Sequence, residues 1–558
     1  MTNYRVCPDT AHPVLFRWLR KAGRNGRDVV VAKGRTAYRF VLALGIYYVT
    51  AGVCGMQVQA AVLKNDSSLA EQWALYNDGS FSMENEKNRY PVYNDPFGAP
   101  VAPGAWKENP GAGASDSGTG KGKPSDELTA LSGIDINVTE AWGKYGGGTR
   151  DVIVAMIDTG IDYSHEDLTG AVWINEDEIP GNGIDDDGNG YIDDVYGWNF
   201  YKGNNQVYQG LEDSHGTHGA GTIAAVSDNG QGIAGIVPGG RVRIMTVKTL
   251  GGADGGGSTS ALIRAIRYAE DNGAMICNLG LISTADDRIL YEAIADSNML
   301  FIVAAGNGDA ETGIGVNIDE TPCYPAAYDL DNIISVANIR CDGSLDISSN
   351  YGARSVDLAA PGSYILSTTP NNSYSYMSGT SMAAPMVTGA AAMVYSYFDG
   401  IDASDVKEIL LSTTSPLESL RGRTLTGGML NAGAALSFDC AALSKTGFRN
   451  AGRRPENGRE PFIEAKLSES LGETFLLVRV VDIDGDLEEV LYAEGEWTKE
   501  QFPEEPVSKP FKLNDKDTGI FKLTRSGTYS FYARDRRGNT HVRTIRILEK
   551  EDGPGMFE

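Results

Sequence analysis

Between residues 152 and 337 the chain alternates apolar runs of strand length with helical patterns, and this constrains its fold more than any other feature. Val152–Ile157, Arg243–Lys248, Ala274–Leu279, Leu300–Ala305 and Ile333–Ala337 read as strands, Ser258–Asn272 and Tyr291–Asn298 as helices. Strands apolar along their whole length and separated by helices argue for a parallel sheet covered on both faces. In such sheets ligands bind outside the carboxyl ends of the strands. Residues just past each run are therefore the first place to look for chemistry.

Three segments stand out there. Asp151-Val-Ile-Val-Ala-Met-Ile-Asp158-Thr-Gly-Ile-Asp162 is a buried strand ending in an acid, and a carboxylate so placed needs a partner. Asp213-Ser-His215-Gly-Thr-His218-Gly-Ala-Gly-Thr222 puts a histidine before small residues that suit a tightly packed helix. Ser378-Gly-Thr-Ser381-Met-Ala-Ala-Pro-Met386 presents a serine after a glycine turn, at the start of a buried helix. A lone serine after Gly-Thr usually only caps a helix. Together, Asp158, His215 and Ser381 supply an orienting acid, a base and a nucleophile for acyl transfer.

The order Asp, His, Ser and the three flanking signatures resemble the subtilisin-like serine proteases (subtilases), from about Gln72 to Leu436. The resemblance implies an α/β fold, a mainly parallel subtilisin-like sheet with helices on both faces. It also implies a chemistry that requires no cofactor. Phe301-Ile-Val-Ala-Ala-Gly-Asn307-Gly is similar to the family's strand and loop that bring an asparagine amide over the scissile carbonyl. Asn307 is thus the oxyanion-hole candidate, with the Ser381 N–H as second donor. Asn278-Leu279-Gly280-Leu281-Ile282-Ser283 aligns with the family's Ser-Leu-Gly substrate edge but departs from it. Gly280 stands where serine is common, and Ile282 where glycine usually lines the pocket for the residue preceding the scissile bond. With Ala304, Ala305 and Gly306 as the other wall and Cys323 at its base, no acid awaits Lys or Arg. The expectation is a preference for apolar or small side chains. The pair His215 and His218 has the H-x-x-H spacing of metal ligands but no third ligand motif. His218 is read as a packed helix residue, and the role of His165 stays open.

Between acid and histidine, Gly183-Ile-Asp185-Asp-Asp187-Gly-Asn189-Gly190-Tyr-Ile-Asp193-Asp194 repeats acids and glycines as an EF-hand loop does. Oxygen ligands at the first, third and fifth places with glycine at the sixth suit structural calcium. Asp185, Asp187, Asn189 and Asp193 are the candidate ligands. The twelfth place is Tyr196, so a bidentate carboxylate must come from Asp194 or another segment.

The net charge is −26, yet residues 1 to 60 hold nine Lys or Arg against two acids, so the rest is more acidic still. Such a body disfavours nucleic acid and anionic membrane as partners, and leaves protein or peptide substrates. The basic start precedes the apolar run Phe40–Val53 and then Val58-Gln-Ala60, which ends like a cleavage site. Residues 1–60 are read as a signal peptide, or as an uncleaved anchor and then the only membrane contact. Either makes the protein secreted or cell-surface. Residues 61–445 form the catalytic domain, with a Gly/Pro/Ala/Ser-rich flexible insert at 94–126, and Thr139 is read as a helix cap after it. A linker at 446–462 leads to short turn-bounded strands at 463–548, a small all-β sandwich whose closing hairpin resembles bacterial immunoglobulin-like surface modules, and a tail at 549–558. The sparse cysteines make no disulfide scaffold. The competing function is a catalytically silent surface binding or scaffold protein on the same fold, its groove blocked by Ile282.

Overall fold

The computed structural model describes residues 64–82, 90, 92–94, 129–252, 256–309, 311–448, 458–470, 473–502, 507–514, 517–523, 525–550 and 553–557. It adds the backbone of a hairpin in which Ala37–Leu42 pairs antiparallel with Gly45–Thr50. The rest of the leader, nearly all of the insert and most of the linker lie outside the described residues. The chain divides into two compact units, Met1–Asn65 and Asp66–Glu558. No helix among the described residues is long and apolar enough to cross a membrane.

The larger unit is built on strands β1 (Val152–Asp158), β2 (Gly197–Asn199), β3 (Val242–Lys248), β4 (Ile276–Leu279), β5 (Leu300–Ala304), β6 (Ile333–Ile339) and β7 (Leu358–Pro361). A hairpin, β8 (Ile365–Thr369) and β9 (Ser373–Ser378), and two short strands, β10 (Ser415–Pro416) and β11 (Gly428–Met429), follow. The main sheet has the order β10-β11-β7-β6-β5-β4-β1-β3-β2, and every pairing except β10 with β11 is parallel. Its central strands are buried on both faces, as their unbroken apolar runs require.

Helices cover both faces. Residues of α3 (Thr259–Asp271) and α4 (Arg288–Asp296) share a core with Ala155, Ile157, Val247, Leu279, Val303 and Ala337. On the other face lie α2 (Ser214–Ala224) and α5 (Thr380–Tyr397), the latter through a hydrogen bond from Thr388 Oγ1 to Asn278 Oδ1 (2.7 Å). The first helix, α1, spans Val138–Tyr145 with Asn137 at its cap in the left-handed region. Thr139 therefore lies inside the first turn, a correction to its reading as the cap. Successive strands leave β1 on one side toward β3 and β2 and on the other toward β4, so the chain reverses direction beside β1. That is the crevice position for such sheets.

The C-terminal strands form two antiparallel sheets. One has the order β12 (Phe462–Ser470), β13 (Glu473–Val481), β16 (Thr518–Lys522). The other runs β15 (Lys509–Pro510), β14 (Leu487–Glu494), β17 (Gly527–Asp535), β18 (Thr540–Lys550) and a last strand at Gly553–Phe557. Tyr529, Phe531 and Ala533 share one buried face, as their alternation predicts, with Leu476, Val478 and Val480. Val481 belongs to the core of the large sheet, and Phe462 and Ile483 pack against it. Cys277, Cys323, Cys341 and Cys440 are free thiols.

Candidate active site

Asp158 is the last residue of β1 and is 1% exposed. Helix α2 reaches it because its inner face carries glycine. A Cβ on Gly216 would sit 2.3 Å from Gly160 O, and one on Gly219 would sit 2.2 Å from Met156 Cε. Without those side chains the helix lies directly on the strand end, and His215 Nδ1 comes within 2.8 and 2.9 Å of the two Asp158 oxygens. Asp158 Oδ1 also accepts from the Thr159 N–H (2.7 Å). A buried carboxylate accepting from an imidazole N–H fixes both the tautomer and the ring plane.

Beneath this pair lies a second ionic contact that sequence reasoning did not find. Lys248 ends β3 directly beside Asp158, is fully buried, and places Nζ 2.6 Å from Asp213 Oδ1, also fully buried. Burial pushes the Asp213 carboxyl up to about 6 against the pull of Lys248. Asp213 precedes His215 by two residues, so the ion pair ties the start of α2 to the sheet.

Ser381 is the second residue of α5 and donates from Oγ to Gly280 O (2.9 Å), just past β4. Gly280 shows how the elements converge. A Cβ built on it would lie 3.0 Å from His215 Cε1, 3.3 Å from Asp158 Oδ2 and 3.4 Å from Ser381 Cβ. Acid, imidazole and hydroxyl carbon thus surround one point. Asn307, in the loop past β5, accepts on Oδ1 from the Thr380 N–H (2.7 Å) and Oγ1 (2.9 Å). With its carbonyl end tied to Thr380, its Nδ2 is the end that can donate to a ligand.

The expected substrate edge is partly filled. Leu279, Leu281 and Ile282 are at most 3% exposed, and Ala304 and Ala305 at most 1%. Ser283 exchanges both backbone hydrogen bonds with Tyr324 (2.7 Å each). Gly306 has φ +101°, and a Cβ there would meet Ile282 Cδ1 at 2.6 Å and Asn350 Nδ2 at 2.5 Å. Asn350 in turn lies 3.7 Å from Cys323 Sγ and donates to Ala305 O (2.9 Å). The Ile282 side chain therefore occupies the space beside Gly306.

His218 and His165 have structural partners. His218 Nε2 pairs with Ile365 O (2.9 Å), as a packed helix residue should. His165 accepts on Nδ1 from the Asp167 N–H (3.1 Å), leaving Nε2 to donate to Ser373 O (3.1 Å).

At the acidic loop, Asp187 and Asp194 and the preceding Glu178 bring carboxylate oxygens within 4.8 Å of one another. Of the expected ligands Asp187 belongs to this group. Asp185 instead accepts from Gly190 N (2.9 Å), and Asp193 from Asn182 N and Gly183 N (3.0 and 2.9 Å). Asn189 donates to Asp187 and Asp194 (3.0 and 3.2 Å). An all-oxygen set of three carboxylates suits a hard cation, and burial raises the Asp194 carboxyl above its ordinary range. Glu178 lies outside the loop and no spacing rule announces it.

Residues 149–440 match the model of the Subtilase family, Peptidase_S8. The chain belongs to that family. The Major intracellular serine protease of Bacillus subtilis is 36% identical over 300 residues, 52% of this chain and 84% of its own length. Thermitase of Thermoactinomyces vulgaris is 32% identical over 307 residues, 54% and 94% of the two lengths. Subtilisin-like protease 2 of Plasmodium falciparum is 32% identical over 374 residues, 63% of this subtilase but only 26% of its own length. A solved protease of Pseudoalteromonas arctica superposes with a TM-score of 0.45 at 25% identity, over 67% of this chain and 98% of its own.

Proposed function

We propose that this subtilase is an exported serine endopeptidase that hydrolyses peptide bonds through an acyl-enzyme on Ser381. The observation that carries the reading is the convergence of Asp158, His215 and Ser381 around Gly280, within 3.4 Å of one point. Ser381 Oγ attacks the scissile carbonyl carbon while His215 Nε2 takes its proton, and Asp158 steadies the imidazolium from the Nδ1 side. The carbonyl oxygen gains the charge and accepts from Asn307 Nδ2 and the Ser381 N–H. Collapse breaks the C–N bond, the amine leaves with the proton from His215, and water repeats the sequence to release the acid. No metal enters these steps. Calcium fits the group Glu178, Asp187 and Asp194, where it would brace the loop between β1 and β2.

The filled space beside Gly306 supports a small or apolar residue before the scissile bond. The same feature favours the second reading, a binding or scaffold protein without turnover. Active-site titration separates them. Stoichiometric labelling by a serine-directed phosphonate with peptide turnover, both lost in Ser381→Ala, supports the enzyme. A folded protein showing neither supports the scaffold. Ser378→Ala serves as control, because Ser378 Oγ only accepts from the Tyr364 N–H (2.8 Å). Export is supported by the basic start and apolar run of the leader, whereas one relative's name places that protein inside the cell. The intact mass of the exported protein reads out the cleavage. The C-terminal sheets, with their likeness to immunoglobulin-like surface modules, are read as a spacing or adhesion module.

A further inference from the structure

One buried ammonium joins the two halves of the proton relay. Lys248 is the register partner of Asp158 across β1 and β3, and its fully buried side chain has three acceptors for Nζ. They are Thr159 O, Asp213 Oδ1 (2.6 Å) and Glu212 Oε1 (3.3 Å). Thr159 follows Asp158, and Asp213 precedes His215 by two residues. We propose that Lys248 and Asp213 are positioning residues of the hydrolytic reaction, which hold the His215 imidazole against Asp158 without touching substrate. The proposal rests on the peptidase reading.

On both sides of His215 the chain is tied back to the segment that follows Asp158. Before the histidine, the Asp213 carboxylate meets Lys248 through Oδ1 and accepts from the Gln209 N–H through Oδ2 (2.5 Å). After it, the Gly216 N–H donates to Thr159 Oγ1 (3.1 Å). Thr217 Oγ1 donates to Asp213 O (2.7 Å) and accepts from the Asp162 N–H (2.9 Å). The base is thus held by residues 159 and 162 of the acid's own loop, and Lys248 closes the circuit.

The acid is held from the same strand end. Asp158 O accepts from the N–H groups of Thr249 and Leu250 (2.9 and 3.3 Å), the two residues after Lys248. Gly160 makes room for the arrangement. It has φ +117°, and a Cβ there would stand 2.6 Å from Asp213 Oδ1, so the carboxylate occupies the place that a side chain at 160 would take.

Stability alone does not call for an ion pair at this place. Charges taken out of water lose solvation that their attraction only partly returns, and apolar residues of similar volume often stabilise a fold as well or better. What apolar residues cannot supply is direction. An ammonium offers three protons, and its acceptors lie on two segments, residue 159 beside the acid and residues 212 and 213 before the base. The side chain therefore sets the separation of those segments. The Nδ1 contacts at 2.8 and 2.9 Å are lost if the helix start moves by about 1 Å, and a misplacement of that size costs about 10² in rate.

The test separates position from stability in the full-length protein. Lys248→Met combined with Asp213→Asn removes both charges together, so neither is stranded, the net charge near His215 is unchanged, and Asp158, Asp162 and Glu212 stay in place. The folded double variant is expected to hydrolyse a peptide anilide, with alanine before the bond, at a kcat about 10- to 100-fold below the parent and a KM near the parent's. The acid limb of its kcat profile should move to lower pH, because an imidazole drawn away from the Asp158 carboxylate loses the partner that favours its protonated form. A pair that only stabilises the fold leaves the kcat and acid limb of the folded variant at the parent's values. That result overturns the positioning assignment and leaves the peptidase reading standing. A parent that neither turns the anilide over nor takes the phosphonate sinks both. If the double variant does not fold, Thr217→Val decides, since it keeps every charge and cuts the tie between Asp213 O and the Asp162 N–H. A kcat about three- to tenfold lower with the acid limb moved the same way supports the assignment, and parental values overturn it.

Discussion

Replacing Ile282 with alanine should widen the range of residues accepted before the scissile bond. Ile282 is 2% exposed, and its Cδ1 lies 2.6 Å from where a Cβ on Gly306 would stand. The substitution keeps the Cβ and removes three carbons from between the two walls. Trimming a buried isoleucine to alanine costs about 2–5 kcal/mol. The lower end is expected here, because the space opens toward the substrate edge. A domain with about 5–15 kcal/mol of stability survives that loss. In return, a larger substrate side chain can enter. One methylene in such a pocket is worth about 1–3 kcal/mol, or roughly 10–200-fold. The ratio of kcat/KM for Leu or Phe over Ala at that position should therefore rise by about 10–10²-fold. The assay is initial-rate hydrolysis of a peptide series that varies only this residue, with the melting temperature measured beside it. A parent enzyme that already prefers Phe, Lys or Arg refutes the filled pocket. So does a variant that loses stability while its Leu-to-Ala ratio stays fixed.

Asn307→Ala should lower kcat by about 10²–10³, a range established on subtilisin itself for one oxyanion donor, while KM stays near its parent value and Ser381 still takes the phosphonate. Lys248→Met strands the buried Asp213 and should cost about 3–5 kcal/mol in chemical denaturation, whereas Lys248→Met with Asp213→Asn should recover much of it. Asp482, 5% exposed, has its carboxyl pushed up to about 7 by burial and then by Asp486. Between the ordinary carboxylate range and about pH 7 the folded form holds a proton that the unfolded form has released, so this group's contribution falls as pH rises. Asp482→Asn should match the parent near pH 4 and exceed it by roughly 2–4 kcal/mol above pH 7, and a difference independent of pH would count against it. Chelation by EGTA should lower the parent's melting temperature and leave that of Asp187→Asn unmoved.

What was legible in the sequence was local. Asp158, His215 and Ser381 each sit in a short segment whose own backbone demands are visible, an apolar strand ending in an acid, a helix of glycines and alanines, a glycine before a buried helix. The glycines at 216 and 219 even announced the close contact between α2 and β1. Partners set by long-range packing were not legible. Thr380 orienting Asn307, Lys248 meeting Asp213 and Glu178 joining Asp187 and Asp194 link segments that no periodicity connects. Strand β12 is defined by its pairing with β13, since its segment adjoins a linker-like stretch that blurs the start of the module.

Ile282 lies between these cases. Its departure from the family pattern was readable, but its packing against Gly306 required the fold. That packing bears on substrate recognition as well. A pocket that takes only a small side chain draws little binding energy or selectivity from the residue next to the bond. A substrate must then be recognised over a longer stretch of backbone. If widening the pocket by Ile282→Ala makes short peptides good substrates and shrinks the advantage of long ones, the pocket and the more distant backbone contacts are parts of one recognition surface. If the advantage of long peptides is untouched, the pocket and the more distant contacts contribute independently.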